Sequence, residues 1–413
     1  MTPQRIDRAD LALVLPPGGL TLVSSCSAES AVLHEAVQLA GPSLGAMTFS
    51  GIFVPGLNRR TWLANADCRV LTFFLTPQLR TASRQVEFLP LCYQDILALL
   101  RERMPTAALF MCSPPDPQGM CSFGTEVAFI ADLWPQVPVR IAHINPQMPR
   151  TSGDPGIPFA ELTAYVEADQ PLLVSEIGAP DPVAEQVAAH ILPFVTDGAT
   201  LQAGLGKVPD AVMRGLTQRR NLRVHTGLMG DGLLSLIASG AMAEGASAIV
   251  GVAIGSADLY RNLCQPTLQF RPVSVTHGAS QLDAIANLVT INSAMEVDLF
   301  GQAFAELTPR GLMSGPGGAS DFSRGARTGG GIRIVALPAS AAGGRVSRIV
   351  QPGAGAGPVS LGRMDIDVVI TQHGAADLRE KSYNSRAEAL IAIAAPNHRA
   401  SLAQAWTHYA AKL

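Results

Sequence analysis

Residues 199–232, ATLQAGLGKVPDAVMRGLTQRRNLRVHTGLMGDG, constrain the fold more than any other stretch. An apolar run, Leu201 to Leu205, breaks at Gly204, Gly206 and Pro209. A short amphipathic helix follows, then a second strand reaching His225-Thr226. Strand, glycine turn, helix and strand make a βαβ unit, whose parallel strands need a crossover and whose first turn forms a pocket lined by backbone. Glycine there admits a ligand close to the main chain, and the helix start favours an anion. The second strand ends where a catalytic side chain is expected, and the residue there is Gly227.

The rest of the chain repeats this alternation. Strand-like runs at Thr21–Ser25, Ala46–Val54, Arg69–Leu75, Ala107–Cys112 and Arg140–Asn145 alternate with helical patterns. One of these runs from Ala28 with Ser27 as its cap, another over Tyr93–Met104. Beyond residue 190 the pattern predicts helices at Gly232–Ser239, Arg386–Ala394 and Arg399–Ala411. It also predicts strands at Ala248–Ile254, Leu288–Val297, Ile332–Leu337 and Val368–Thr371. Ala339–Gly344 and Gly353–Gly357 read as flexible surface loops, and Ile177–Pro182 as a turn before a helix at Pro182–Val195. The expected architecture is α/β with mostly parallel sheets covered on both faces. At 413 residues two domains are expected, 1–190 and 191–413.

Composition narrows the function classes. The chain is 47% apolar and 15% charged with a net charge of −3, a globular chain without a basic field for nucleic acid. No apolar run approaches the roughly 20 residues of a membrane span. Residues 1–20 do not read as a secretory signal. The six cysteines lack CxxC spacing, which predicts reduced thiols, a cytoplasmic location and no metal site.

Three glycine-bearing loops fall at strand ends in the second half: 204–209, 315–321 (GPGGASD) and 371–374 (TQHG). None is a Walker A or a full GxGxxG motif, but together they predict a shared ligand with phosphate or oxyanion character. Arg59-Arg60 is either a carboxylate clamp or a solvated loop. Asp231 and Asp321 read as helix caps.

Six segments carry a resemblance: CSPPDPQGMCSFG (112–124), INPQMPRTSGD (144–154), GLGKVPDAV (204–212), INSAMEVDLFGQ (291–302), SGPGGASDFSRGA (314–326) and DVVITQHGAADLR (367–379). On these the chain resembles the acetyl-CoA hydrolase/transferase family, which includes the 4-hydroxybutyrate CoA-transferases. The resemblance implies two related open α/β domains with an active-site cleft between them. It implies acyl-CoA and a small carboxylic acid as partners, coenzyme A as the carried group, and a homo-oligomer as one possible assembly.

In such enzymes a glutamate attacks the thioester, forming an acyl–glutamyl anhydride and then a glutamyl–CoA thioester. By the same resemblance Gly204, Leu205, Gly206, Lys207 and Val208 form the CoA-contacting loop. Gly317 and Gly318 lie in the GPGG turn of the cofactor site, and Gly318 is the glycine whose backbone faces the thioester oxygen. His277 stands where relatives place an asparagine beside that oxygen. His373 replaces a common tyrosine, and Ala342 a common lysine. The nucleophilic glutamate of relatives falls on Gly227, which the resemblance otherwise places in the CoA site. Three expectations stay open: a carboxylate from elsewhere, with Glu296 and Glu29 as candidates; transfer without a covalent glutamate; or binding of a CoA ester without catalysis.

Overall fold

The computed structural model describes residues 2–175, 178–308 and 311–412. Two eight-stranded sheets dominate it. The first is built from β1 (Gln4–Arg5), β2 (Leu20–Val23), β3 (Thr48–Gly51), β4 (Arg69–Thr72), β5 (Val86–Phe88), β6 (Ala107–Cys112), β7 (Val139–Ile144) and β8 (Ala164–Glu167). Their order is β1-β8-β7-β6-β2-β3-β4-β5, parallel throughout. Strands such as β6 are buried at every position. This is why they read as continuous apolar runs with no alternation. From β2 the chain steps outward through β3 to β5. It then returns to the other side of β2 to lay down β6, β7 and β8. The order reverses at the β2/β6 junction, the place in an open parallel sheet where a crevice forms beyond the carboxyl ends.

The second sheet holds β9 (Thr200–Ala203), β10 (Arg223–Met229), β11 (Ala248–Ala253), β12 (Leu268–Phe270), β13 (Leu288–Ser293), β14 (Ile332–Ala336), β15 (Val368–Thr371) and β16 (Gly374–Asp377). Their order is β12-β11-β10-β9-β13-β14-β15-β16. Pairing is parallel along β10-β9-β13-β14-β15 and along β11-β12, and β16 runs antiparallel on the edge. Here β9 plays the part of β2, with three strands laid to one side before the chain returns to the other. The reversal falls at β9/β13. The two sheets therefore share one winding plan, although no residue-level repeat marks it.

By contact density the chain divides into two compact units. One comprises residues 1–176, 227–231 and 248–276, the other 177–226, 232–247 and 277–413. Each holds a core of its own. One core is centred on Leu33, Phe49, Phe53, Trp62 and Leu109, and the other on Val297, Leu299, Val369, Leu390 and Trp406.

Several expected elements fall differently. No helix starts at Ala28: Cys26–Ala28 is a single 3₁₀ turn with Cys26 at φ 46°, and helix α1 runs from Ala31 to Ala40. Its cap is Ser30, whose Oγ accepts from the Leu33 N–H at 3.0 Å. The run Leu288–Val297 is two strands, β13 and Glu296–Asp298, because the chain leaves the large sheet to join a three-stranded one. Ala339–Gly344 is not a free loop. Ala339 is fully buried, and Ser340–Ala341 pairs antiparallel with Val346–Ser347. Asp231 directly precedes the helix Gly232–Ala238. It accepts from the Ser256 N–H at 3.1 Å, before the helix Ala257–Arg261. In the turn expected at 177–182, Ile177 lies outside the described residues.

Candidate active site

Both topological reversals carry chemistry. At the β9/β13 reversal, Gly204-Leu205-Gly206 leads into helix α2 (Lys207–Gly215). Gly206 is the N-cap at φ 125°, a conformation that only glycine adopts without strain, and no side chain fills the space above Gly204. The loop therefore presents backbone and a helix N-terminus to solvent, the arrangement suited to a phosphate. Lys207 is exposed and its Nζ lies 3.5 Å from the Asp181 carboxylate. Burial of Pro209, Ala211, Val212 and Met213 anchors the helix by its other face.

Farther along, Gly317 (φ 62°) and Gly318 precede helix α3 (Ala319–Thr328). His277 is 2% exposed and its ring stacks against Phe322 at 4.6 Å. A Cβ on Gly318 would lie 2.5 Å from His277 Nε2, so glycine is required for the imidazole to sit there. Burial, with His225 beside it, lowers the His277 pKa to about 3. The ring is neutral at physiological pH, with a proton on one of its two nitrogens. The structure thus brings His277 and Gly318 together.

Glu296 lies elsewhere, in the three-stranded sheet opposite Phe304, and its Oε2 accepts from the Ala356 N–H at 2.8 Å. His373 is exposed at the turn into β16, and Ala342, at φ 51°, lies in the turn of the 340–347 hairpin. Asp321 is buried in the first turn of α3. Arg59 is exposed, whereas Arg60 donates to Glu29 Oε2 at 2.8 Å. The Glu29 side chain is 1% exposed. Burial raises its pKa, and the Arg60 guanidinium opposes that rise.

At the β2/β6 reversal lies a group that sequence reasoning missed. Glu126 receives two hydrogen bonds from Ser25: the N–H donates to Oε2 at 2.8 Å and the Oγ to Oε1 at 2.5 Å. Ser25 Oγ in turn accepts from the Ile52 N–H at 3.0 Å. Residues 125–127 are laced onto β11: Ala253 N–H donates to Thr125 O and Val127 N–H to Gly251 O, with an antiparallel bridge between Glu126 and Val252. The Glu126 carboxyl stands at a pocket of about 530 Å³, its open mouth included, lined by Leu22, Phe73, Leu100, Leu109, Phe129 and Ile130 among others. Desolvation is the main cause that raises the Glu126 pKa to about 7; the Ser25 hydrogen bonds oppose it and the Glu29 charge adds to it. The available signal was an acidic residue inside the apolar run FGTEVAFI, since an isolated buried carboxyl is rare without a task.

Gly227 belongs to the same unit as Glu126. It is half-buried near the end of β10, next to β11. A Cβ on Gly251 would lie 2.8 Å from the Gly227 carbonyl oxygen. The strand packed against Gly227 is therefore the strand to which Glu126 is tied.

Comparison with known proteins fits this geometry. The 4-hydroxybutyrate coenzyme A transferase of Clostridium kluyveri is 33% identical over 330 residues, covering 78% of this chain and 77% of that protein. The chain belongs to the acetyl-CoA hydrolase/transferase family. The C-terminal domain profile of the acetyl-CoA hydrolase/transferase family matches residues 255–406. RipA from Yersinia pestis superposes with a TM-score of 0.90 at 26% identity over 98% of this chain and 97% of RipA. The 4-hydroxybutyrate CoA-transferase of Porphyromonas gingivalis superposes at 0.81 with 28% identity, covering 98% of both chains.

Proposed function

We infer that the protein moves coenzyme A from a short acyl-CoA to a small carboxylic acid. The observation that carries this reading is the 33% identity to a 4-hydroxybutyrate CoA-transferase over 78% of the chain. In this reading Gly204, Leu205, Gly206, Lys207 and Val208 receive the CoA phosphates at the α2 N-terminus. Gly317, Gly318 and the neutral His277 provide N–H donors for the thioester oxygen as it gains negative charge. Gly227 leaves room at the end of β10, and Glu296 is one carboxylate available for acyl transfer. The active chain is read as two domains, 1–190 and 191–413, with self-association as one possible assembly. It is placed in the cytoplasm, where free thiols such as the six here persist. No helix among the described residues is long and apolar enough to cross a membrane.

A second reading is favoured by one specific residue. With glycine at 227 the chain lacks the carboxylate that the family mechanism uses there, which fits a protein that binds acyl-CoA without turning it over. The purified protein incubated with acetyl-, butyryl-, succinyl- and 4-hydroxybutyryl-CoA plus a panel of acids separates the readings by chromatography of the CoA esters. A new acyl-CoA at constant total thioester is the expected result. Free CoA alone identifies a hydrolase, and binding without either product identifies a non-catalytic protein.

A further inference from the structure

We propose that Glu126 is the carboxylate that accepts the acyl group, in place of a side chain at position 227. The inference rests on the CoA-transfer reading above. Four observations converge on Glu126. It stands at the topological reversal of the first sheet, where crevices form in parallel α/β sheets. It lines a partly open, mostly apolar pocket. The Ser25 N–H and Oγ hold it in one orientation, one bond to each carboxyl oxygen. Its backbone is laced to β11, the strand packed against Gly227.

The two other carboxylates at issue lack this combination. Glu29 is enclosed, its Oε2 accepts from Arg60, and it does not line the pocket. Glu296 lies in the three-stranded sheet, where its Oε2 accepts from the Ala356 N–H, and it does not line the pocket. Burial that brings the Glu126 pKa to about 7 leaves a substantial carboxylate fraction at neutral pH, less solvated and therefore more reactive than a surface carboxylate.

The steps balance without a redox partner or a net proton. A Glu126 oxygen bonds to the thioester carbonyl carbon, the C–S bond breaks, and CoA departs as the thiolate, leaving a mixed anhydride. The thiolate then attacks the glutamyl carbonyl carbon, and the anhydride C–O bond breaks. The first acid leaves as its carboxylate, and Glu126 carries CoA as a thioester. The acceptor carboxylate repeats the sequence in reverse and regenerates Glu126. Ser25 acts as a positioning residue, and the apolar wall shields both reactive intermediates from water.

The native protein is incubated with the four acyl-CoA donors, treated with borohydride to reduce a glutamyl–CoA thioester to the alcohol, digested and mapped by mass spectrometry. The reduced residue is expected at Glu126. Transfer by Glu126→Gln is expected to fall at least about 1000-fold, with CoA affinity and cooperative folding retained. Ser25→Ala is expected to lower kcat and move its pH profile while leaving KM for the acyl-CoA near the native value. Transfer by the native protein with the adduct on another acid, or persisting in Glu126→Gln, overturns this assignment and leaves the CoA-transfer reading standing. Absence of transfer from all four donors sinks that reading, and this assignment with it.

Discussion

At the residue scale, the Glu126 environment sets how the protein answers to pH. Its carboxyl faces Ser25, the Cys26 thiol and the Glu29 carboxylate, the last already paired with Arg60. A carboxyl whose pKa rises from the ordinary 4.5 to about 7 on folding holds its proton longer in the folded state than in the unfolded one. Its contribution to stability is therefore complete below pH 4.5 and is lost as pH rises through 7, at most on the order of 3 kcal/mol. Urea denaturation at pH 5 and pH 8 is expected to show this decline in the native protein. In Glu126→Gln the decline is expected to flatten. Gly318 makes the second residue-scale prediction. An alanine there meets the His277 ring at 2.5 Å, against a side chain already packed on Phe322. Gly318→Ala is expected to cost about 1–3 kcal/mol in thermal unfolding, because the buried ring has little room to retreat.

At the element scale, helix α2 and its glycine entry bear on ligand affinity. Gly206 at φ 125° places a side chain in a region that L-residues rarely enter, although the space beyond it is nearly open. Gly206→Ala is therefore a backbone perturbation and not a steric one. It is expected to cost about 1–3 kcal/mol and to weaken CoA binding in calorimetry, since the α2 N-terminus shifts with the loop. Helix α1 offers a test of capping and packing. Ser30→Ala removes the cap on Leu33 N–H and the 2.9 Å bond to buried His143 Nδ1, and is expected to lower stability by about 1–3 kcal/mol. The prediction is an unchanged KM for the acyl-CoA.

At the scale of the whole molecule, the two sheets share one order of winding, and each carries its polar chemistry where that order reverses. The first reversal holds a titrating carboxyl against an apolar pocket; the second holds a glycine loop and a helix start. If the second binds coenzyme A, the ligand stabilises the native state by mass action, about 2.7 kcal/mol at 100 times its Kd. A thermal scan with and without CoA is expected to raise Tm in proportion to the logarithm of ligand concentration. Gly206→Ala is expected to shift that dependence to higher concentration.

Local chemistry written in the chain determined much of this. Continuous apolar runs such as Ala107–Cys112 specify buried parallel strands, and the glycines of 204–206 specify a turn that admits a ligand, because both depend on neighbouring residues alone. Gly227 stood out only through the family resemblance, which expects a glutamate there. The helix start after β2 was misplaced, since Cys26 takes a positive φ that its residue type does not announce. Glu126 was invisible for a different reason. Its partner Ser25 lies 101 residues away, and the pocket it faces is made by β2, β3, β6 and the helices over them. Only the tertiary fold brings those strands together, and desolvation, the force that sets the Glu126 pKa, exists only once they are packed.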